Sequence, residues 1–128
     1  ISGGKDYIEV IFDVRYPVTF DAAKITEGIS AQNLRYEILH AQSPLYNDKN
    51  SFLIKTLCNV YNEVTGKNAE PVAIGGGTYA RALKYGAAFG PEEAGEENTI
   101  HQANEYITFE KIEKCYKIYT LALKRLTE

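Results

Sequence analysis

A chain of 128 residues with 45% hydrophobic and 24% charged residues has the composition of a folded protein made of one domain or parts of two. Its 14 Lys and Arg stand against 17 Asp and Glu, and the net charge of -3 gives no sequence-wide attraction for phosphate backbones or anionic membranes, which argues against nucleic acid as a partner. No apolar run approaches the roughly 20 residues of a membrane span and the first residues lack the plan of a secretory leader, so a cytoplasmic protein with no membrane partner is expected.

From Tyr7 to Arg15 the residues alternate, with Ile8, Val10, Phe12 and Val14 on one side, which predicts a strand with one buried face. Pro17 ends it, and Thr19 or Asp21 can cap a helix over about 21–29. Arg35 to Leu39 alternates again, so strand, helix and strand make half of an open α/β sandwich. Residues 40–50 turn to Ser, Pro, Asn and Asp, and the domain boundary is placed there.

Beyond it, Asn50 or Ser51 caps a helix carrying Leu53, Leu57, Val60, Tyr61 and Val64 at helical spacing, with Gly66 placed to end it. Pro71 to Ile74 reads as a short buried strand running into Gly75, Gly76 and Gly77. A short helix over 78–84, a short strand over 87–89 and a solvated acidic loop over 91–99 follow. The last element is a long amphipathic helix from a Thr108 cap, with Ile112, Cys115, Tyr116, Tyr119, Ala122, Leu123 and Leu126 as its apolar set. Cys58 and Cys115, the only cysteines, both fall in helical apolar patterns and are expected to remain thiols. The chain has no Met and enters a strand pattern almost at once, which suggests a piece of a longer protein.

Three places could carry chemistry. Glycines 75–77 followed by Thr78, Tyr79, Ala80 and Arg81 allow close backbone approach to a ligand, although a tight turn at a strand end would use the same residues. Neither a phosphate loop nor a dinucleotide fingerprint is present. His101, in the segment His101-Gln102-Ala103-Asn104-Glu105, sets an imidazole that suits zinc beside a carboxylate, and a surface histidine without a ligand reads equally well there. Arg15, on the same strand face as Asp13, carries a fork suited to a carboxylate, or simply pairs with Asp13.

The order of these segments is more specific than any one of them. Asp13-Val14-Arg15-Tyr16-Pro17, Pro44-Leu45-Tyr46, Gly75-Gly76-Gly77-Thr78-Tyr79-Ala80-Arg81, Ala88-Phe89-Gly90-Pro91 and the His101 to Glu105 segment together resemble the closing third of the two-zinc dipeptidases of the dipeptidase V and carnosinase group, within the aminoacylase and carboxypeptidase-type peptidases. The resemblance covers about Tyr7 to Leu126.

It implies an α/β (α+β) fold in which residues 1–45 end a ferredoxin-like lid sandwich and residues 46–128 are the C-terminal part of the zinc-peptidase catalytic domain. It further implies that Arg15 holds the substrate's C-terminal carboxylate, that Gly76, Gly77 and Thr78 line the substrate main chain, and that His101 is the last zinc ligand. Arg81 and Glu105 support them. The implied cofactor is a zinc pair, with cobalt or manganese as substitutes, and the implied substrate is a dipeptide with free ends. The family's remaining ligands, a His-x-Asp pair, a bridging Asp and a carboxylate beside a Glu base, have no counterpart in this chain. The chain alone is therefore expected to be inactive and to need the missing N-terminal part as its partner. Strand edges left uncovered suggest a homo-oligomer. A non-catalytic module for small carboxylates and an oligomerisation domain are the rival readings.

Overall fold

The computed structural model describes residues 1–90, 92–93, 95–97 and 99–128. Pro91, which closes the Ala88 to Pro91 segment, lies outside them, as do Ala94 and Asn98 of the acidic loop. Secondary structure is mixed: β1 (Ser2–Gly3), β2 (Ile8–Glu9), α1 (Ala23–Ser30), α2 (Phe52–Thr65), a 3-10 turn (Tyr79–Ala82) and α3 (Phe109–Thr127). Among the described residues no helix is long and apolar enough to cross a membrane. The chain divides into two compact units, Ile1–Tyr46 and Asn47–Glu128, at a point inside the Ser, Pro, Asn and Asp stretch.

In the first unit β1 and β2 pair antiparallel, with Ser2 opposite Glu9 and Gly3 opposite Ile8. The strand expected over 7–15 is shorter than its pattern: only Ile8 and Glu9 join a ladder, and its apolar face is open, with Phe12 73% exposed. The second expected strand, 35–39, forms no ladder. A strand needs a neighbour for its backbone groups, and these segments find none among the described residues. The helix between them forms where the sequence placed it, because a helix closes its own hydrogen bonds. Asp21 Oδ1 accepts from Ala23 N at 3.0 Å at its start.

The buried core lies wholly in the second unit. Leu57, Val60, Ile118 and Ala122 form it, flanked by Leu53, Tyr61, Val64, Ala87, Phe89, Leu121 and Leu126. α2 starts at Ser51, whose Oγ accepts from Ile54 N, and ends at Gly66, where φ of 68° suits a residue without a Cβ and the amide donates to Asn62 O at 2.8 Å. α3 starts at Thr108, whose Oγ1 accepts from Lys111 N at 3.2 Å. Its buried face differs from the expected set. Ile118 and Ala122 are buried and Cys115 and Leu126 half-buried, whereas Ile112, Tyr116 and Leu123 are exposed. The sequence set mixed two neighbouring stripes of one helix, and only one of them meets α2.

The expected buried strand 71–74 is neither paired nor buried, with Val72 84% exposed, and 87–89 is irregular, although Ala87 and Phe89 pack on the core. Gly86 is buried with its carbonyl accepting from Asn47 Nδ2 at 2.9 Å.

The acidic loop is not simply solvated. The Glu93 side chain is only 5% exposed and lies between Lys67 and Lys114, whose Nζ is 2.5 Å from Oε1. Lys111 pairs with Glu96 at 2.5 Å, and Tyr106 Oη donates to Glu97 at 3.2 Å. The hydrogen bonds from Lys114 and Lys67 lower the Glu93 carboxyl from 4.5 to about 2, and the same carboxylate holds both lysines charged above their ordinary range.

A carboxyl lowered on folding stabilises the folded chain above its unfolded value, and that contribution disappears as pH falls through its folded value. Between pH 4.5 and about 2, stability should therefore fall more steeply for the native chain than for Glu93→Gln, as measured by chemical denaturation at a series of pH values. Parallel curves would mean that the lysine pair contributes nothing to folding.

Candidate functional site

The glycine loop is positioned from α2 outward. After Gly66, Asn62 holds the returning chain through two hydrogen bonds: Oδ1 accepts from Ala69 N at 2.7 Å and Nδ2 donates to Ala69 O at 3.3 Å. Residues 71–74 then lead into Gly75, Gly76 and Gly77, and the 3-10 turn begins where Arg81 N donates to Thr78 O at 3.1 Å. Thr78 is extended, at φ -129° and ψ 162°.

None of the three glycines adopts a positive φ, so a left-handed turn does not explain them. Among the described residues a Cβ on Gly75 or Gly76 would meet no atom within 4 Å. On Gly77 it would come 3.3 Å from Arg81 Nη1, which places the guanidinium against that glycine. The folding of this chain alone gives no reason for three glycines here. Close approach by something outside it does.

His101 sits in a turn at φ 59°, a left-handed conformation that costs a residue with a Cβ about 1–2 kcal/mol. Glu105 steadies it: its Oε2 accepts from His101 N at 3.3 Å, while Glu105 N donates to Gln102 O at the same distance. Asn104, at φ 63°, is a second left-handed residue in this short segment. The His101 side chain belongs to an exposed residue. Arg15 lies in the first unit, exposed, with Nη2 3.5 Å from Asp13 Oδ2. The sequence-selected residues thus meet in local groups, Gly77 with Arg81, His101 with Glu105, and Arg15 with Asp13, each spanning four residues or fewer.

These residues do not make a zinc site by themselves. A catalytic zinc draws three protein ligands. Among the described residues no group of three or more His, Cys, Asp or Glu side chains converges on a point, and the Glu105 carboxylate is turned to the His101 backbone. His101 offers one exposed imidazole to a ligand set that would have to be completed from elsewhere.

The comparisons with known proteins decide the family. The model of peptidase family M20/M25/M40 matches residues 2–125. The chain belongs to this family. A Staphylococcus epidermidis protein named "Putative dipeptidase" is 42% identical over 118 residues, which is 89% of this chain and 25% of that protein. "Putative dipeptidase YtjP" of Bacillus subtilis is 36% identical over 121 residues, 94% of this chain and 26% of that protein. The M20 chain described here therefore spans about a quarter of the length of the curated relatives it matches. No solved structure matches it.

Sequence reasoning missed two features of this M20 chain. The left-handed backbone at His101 has no signature beyond the tolerance of His and Asn for that region. The anchoring of the 92–97 loop depends on lysines 26 and 21 residues from Glu93, a pairing that local patterns do not reveal.

If the glycine loop is not required for folding, Gly76→Ala should leave stability unchanged to within about 0.5 kcal/mol, whereas Gly66→Ala should cost about 1–2 kcal/mol because of its left-handed backbone. Urea denaturation of the two variants compares them directly. An equal loss in both would give Gly76 a structural role.

Proposed function

We propose that this chain is the closing part of a metal-dependent dipeptidase, with residues 1–45 ending a ferredoxin-like lid and residues 46–128 ending the catalytic domain. The observation that carries this reading is the M20 match over residues 2–125 together with relatives named as dipeptidases. The open glycine loop supports it, since backbone that no part of the described chain covers is available to a substrate main chain.

In this reading Arg15 captures the C-terminal carboxylate of the dipeptide, a role suited to an exposed guanidinium fork. Gly76, Gly77 and Thr78 lie along the substrate main chain, with Arg81 holding the loop from behind. His101 supplies one metal ligand and Glu105 fixes its backbone. The whole enzyme would use zinc, with cobalt or manganese as substitutes, to polarise the peptide carbonyl and activate water. The rest of the family's chain would provide the other ligands. Two cysteines outside any disulfide support a cytoplasmic location.

A second reading, a binding module for small carboxylates that works without turnover, draws on the same loop and Arg15. Self-association through the open edges of the β1 and β2 pair is compatible with either.

The decisive experiment replaces the matching quarter of the Bacillus subtilis relative with this chain and assays dipeptide hydrolysis with added zinc. The chimaera should be active and His101→Ala should abolish the activity. Arg15→Ala should weaken kcat/KM by about 10- to 100-fold, and by far less for a dipeptide whose carboxylate is amidated. Indifference to both substitutions would sink these assignments. Zinc-independent dipeptide binding by the 128-residue chain alone, measured by calorimetry, would favour the module.

A further inference from the structure

Around α3, at about 100° per residue, the apolar positions occupy more than one face. Ile118, Ala122 and Cys115 form the side turned to α2. Beside it runs a second stripe, Phe109, Ile112, Tyr116, Tyr119 and Leu123, at alternating spacings of three and four residues. All five are exposed: Phe109 by 91%, Tyr116 by 70% and Leu123 by 65%. Glu113, Lys117 and Lys124 lie beyond the stripe, and Glu113 pairs with Lys117 at 2.7 Å. Only that charged arc is suited to water.

A helix on the surface of a finished domain needs one apolar stripe, and a second marks a helix packed on two sides. The seam is continuous with the core, since Tyr119 both belongs to it and stacks edge-on against Phe89, with ring centroids 5.9 Å apart and its hydroxyl donating to Phe89 O at 3.0 Å. α2 already covers the other side, so the second stripe requires a different partner.

We infer that the Phe109–Leu123 stripe of α3 is the docking seam for the part of the M20 polypeptide that the relatives carry outside the matched quarter. The inference rests on the proposed reading of the chain as the closing part of a dipeptidase. Its occupant follows from proportion: some three-quarters of each relative lies outside the match, while α3 lies within the family-matched span. The remaining polypeptide therefore presents an apolar surface to these five side chains. A second copy of this chain is the competing occupant.

The test mixes the 128-residue chain with the separately produced remaining part of the Bacillus subtilis relative and measures complex formation by light scattering and calorimetry. Tyr116→Glu and Leu123→Glu should each weaken binding at least tenfold, with helix content unchanged by circular dichroism because both side chains are exposed. Lys117→Gln, on the charged arc, should bind as the native chain does. Equal binding by all variants, or no binding by the native chain, would overturn the seam. So would a concentration-dependent dimer of the native chain that both Glu variants abolish. A stripe-dependent complex that fails to hydrolyse dipeptides with zinc would sink the dipeptidase reading and leave the seam standing.

Discussion

Val60, the one side chain with no exposure at all, sits where α2 and α3 pack together, and the order in the second unit depends on that contact. Leu57 from α2 and Ile118 and Ala122 from α3 close around it, and Ala87 and Phe89 are drawn against the same cluster. With α2 fixed, Gly66 and Asn62 determine where the chain returns and hence where the glycine loop emerges. With α3 fixed, the turn containing His101 is held close to the start of that helix by sequence, and the lysines of its first turns receive the acidic loop. Both candidate clusters of this unit hang from one apolar contact.

The polar fastenings are of a different kind. Glu93 is neutralised by two ammonium groups whose stems remain partly in water, so the pairing orders the loop more than it stabilises the unit. Asn62 works through neutral hydrogen bonds to backbone, which fix direction without charge.

The helices were legible in the sequence because each carries its own closing signals. Ser51, Gly66 and Thr108 all act at the ends where local rules place them. The strands were not, since the alternation of Ile8, Val10, Phe12 and Val14 encodes a buried face whose cover is not encoded beside it. Periodicity also could not choose between the two stripes of α3, because Ile112, Tyr116 and Leu123 repeat as regularly as Cys115, Ile118 and Ala122. At the candidate site, the glycine run and the His101 segment were visible as motifs. The left-handed backbone of His101 and the closeness of Arg81 to Gly77 became visible only with coordinates, because both depend on how the loop closes.

The ionic fastening of the 92–97 loop and the apolar packing of α2 on α3 answer to opposite solvents. Concentrated sulfate strengthens burial of Val60 and its neighbours while screening the partly exposed lysines around Glu93. Dilute buffer does the reverse. Within a single unit of 82 residues, from Asn47 to Glu128, the helical pair and the loop lying on it are thus tuned by ionic strength in contrary directions, and the loop can loosen while the pair beneath it tightens.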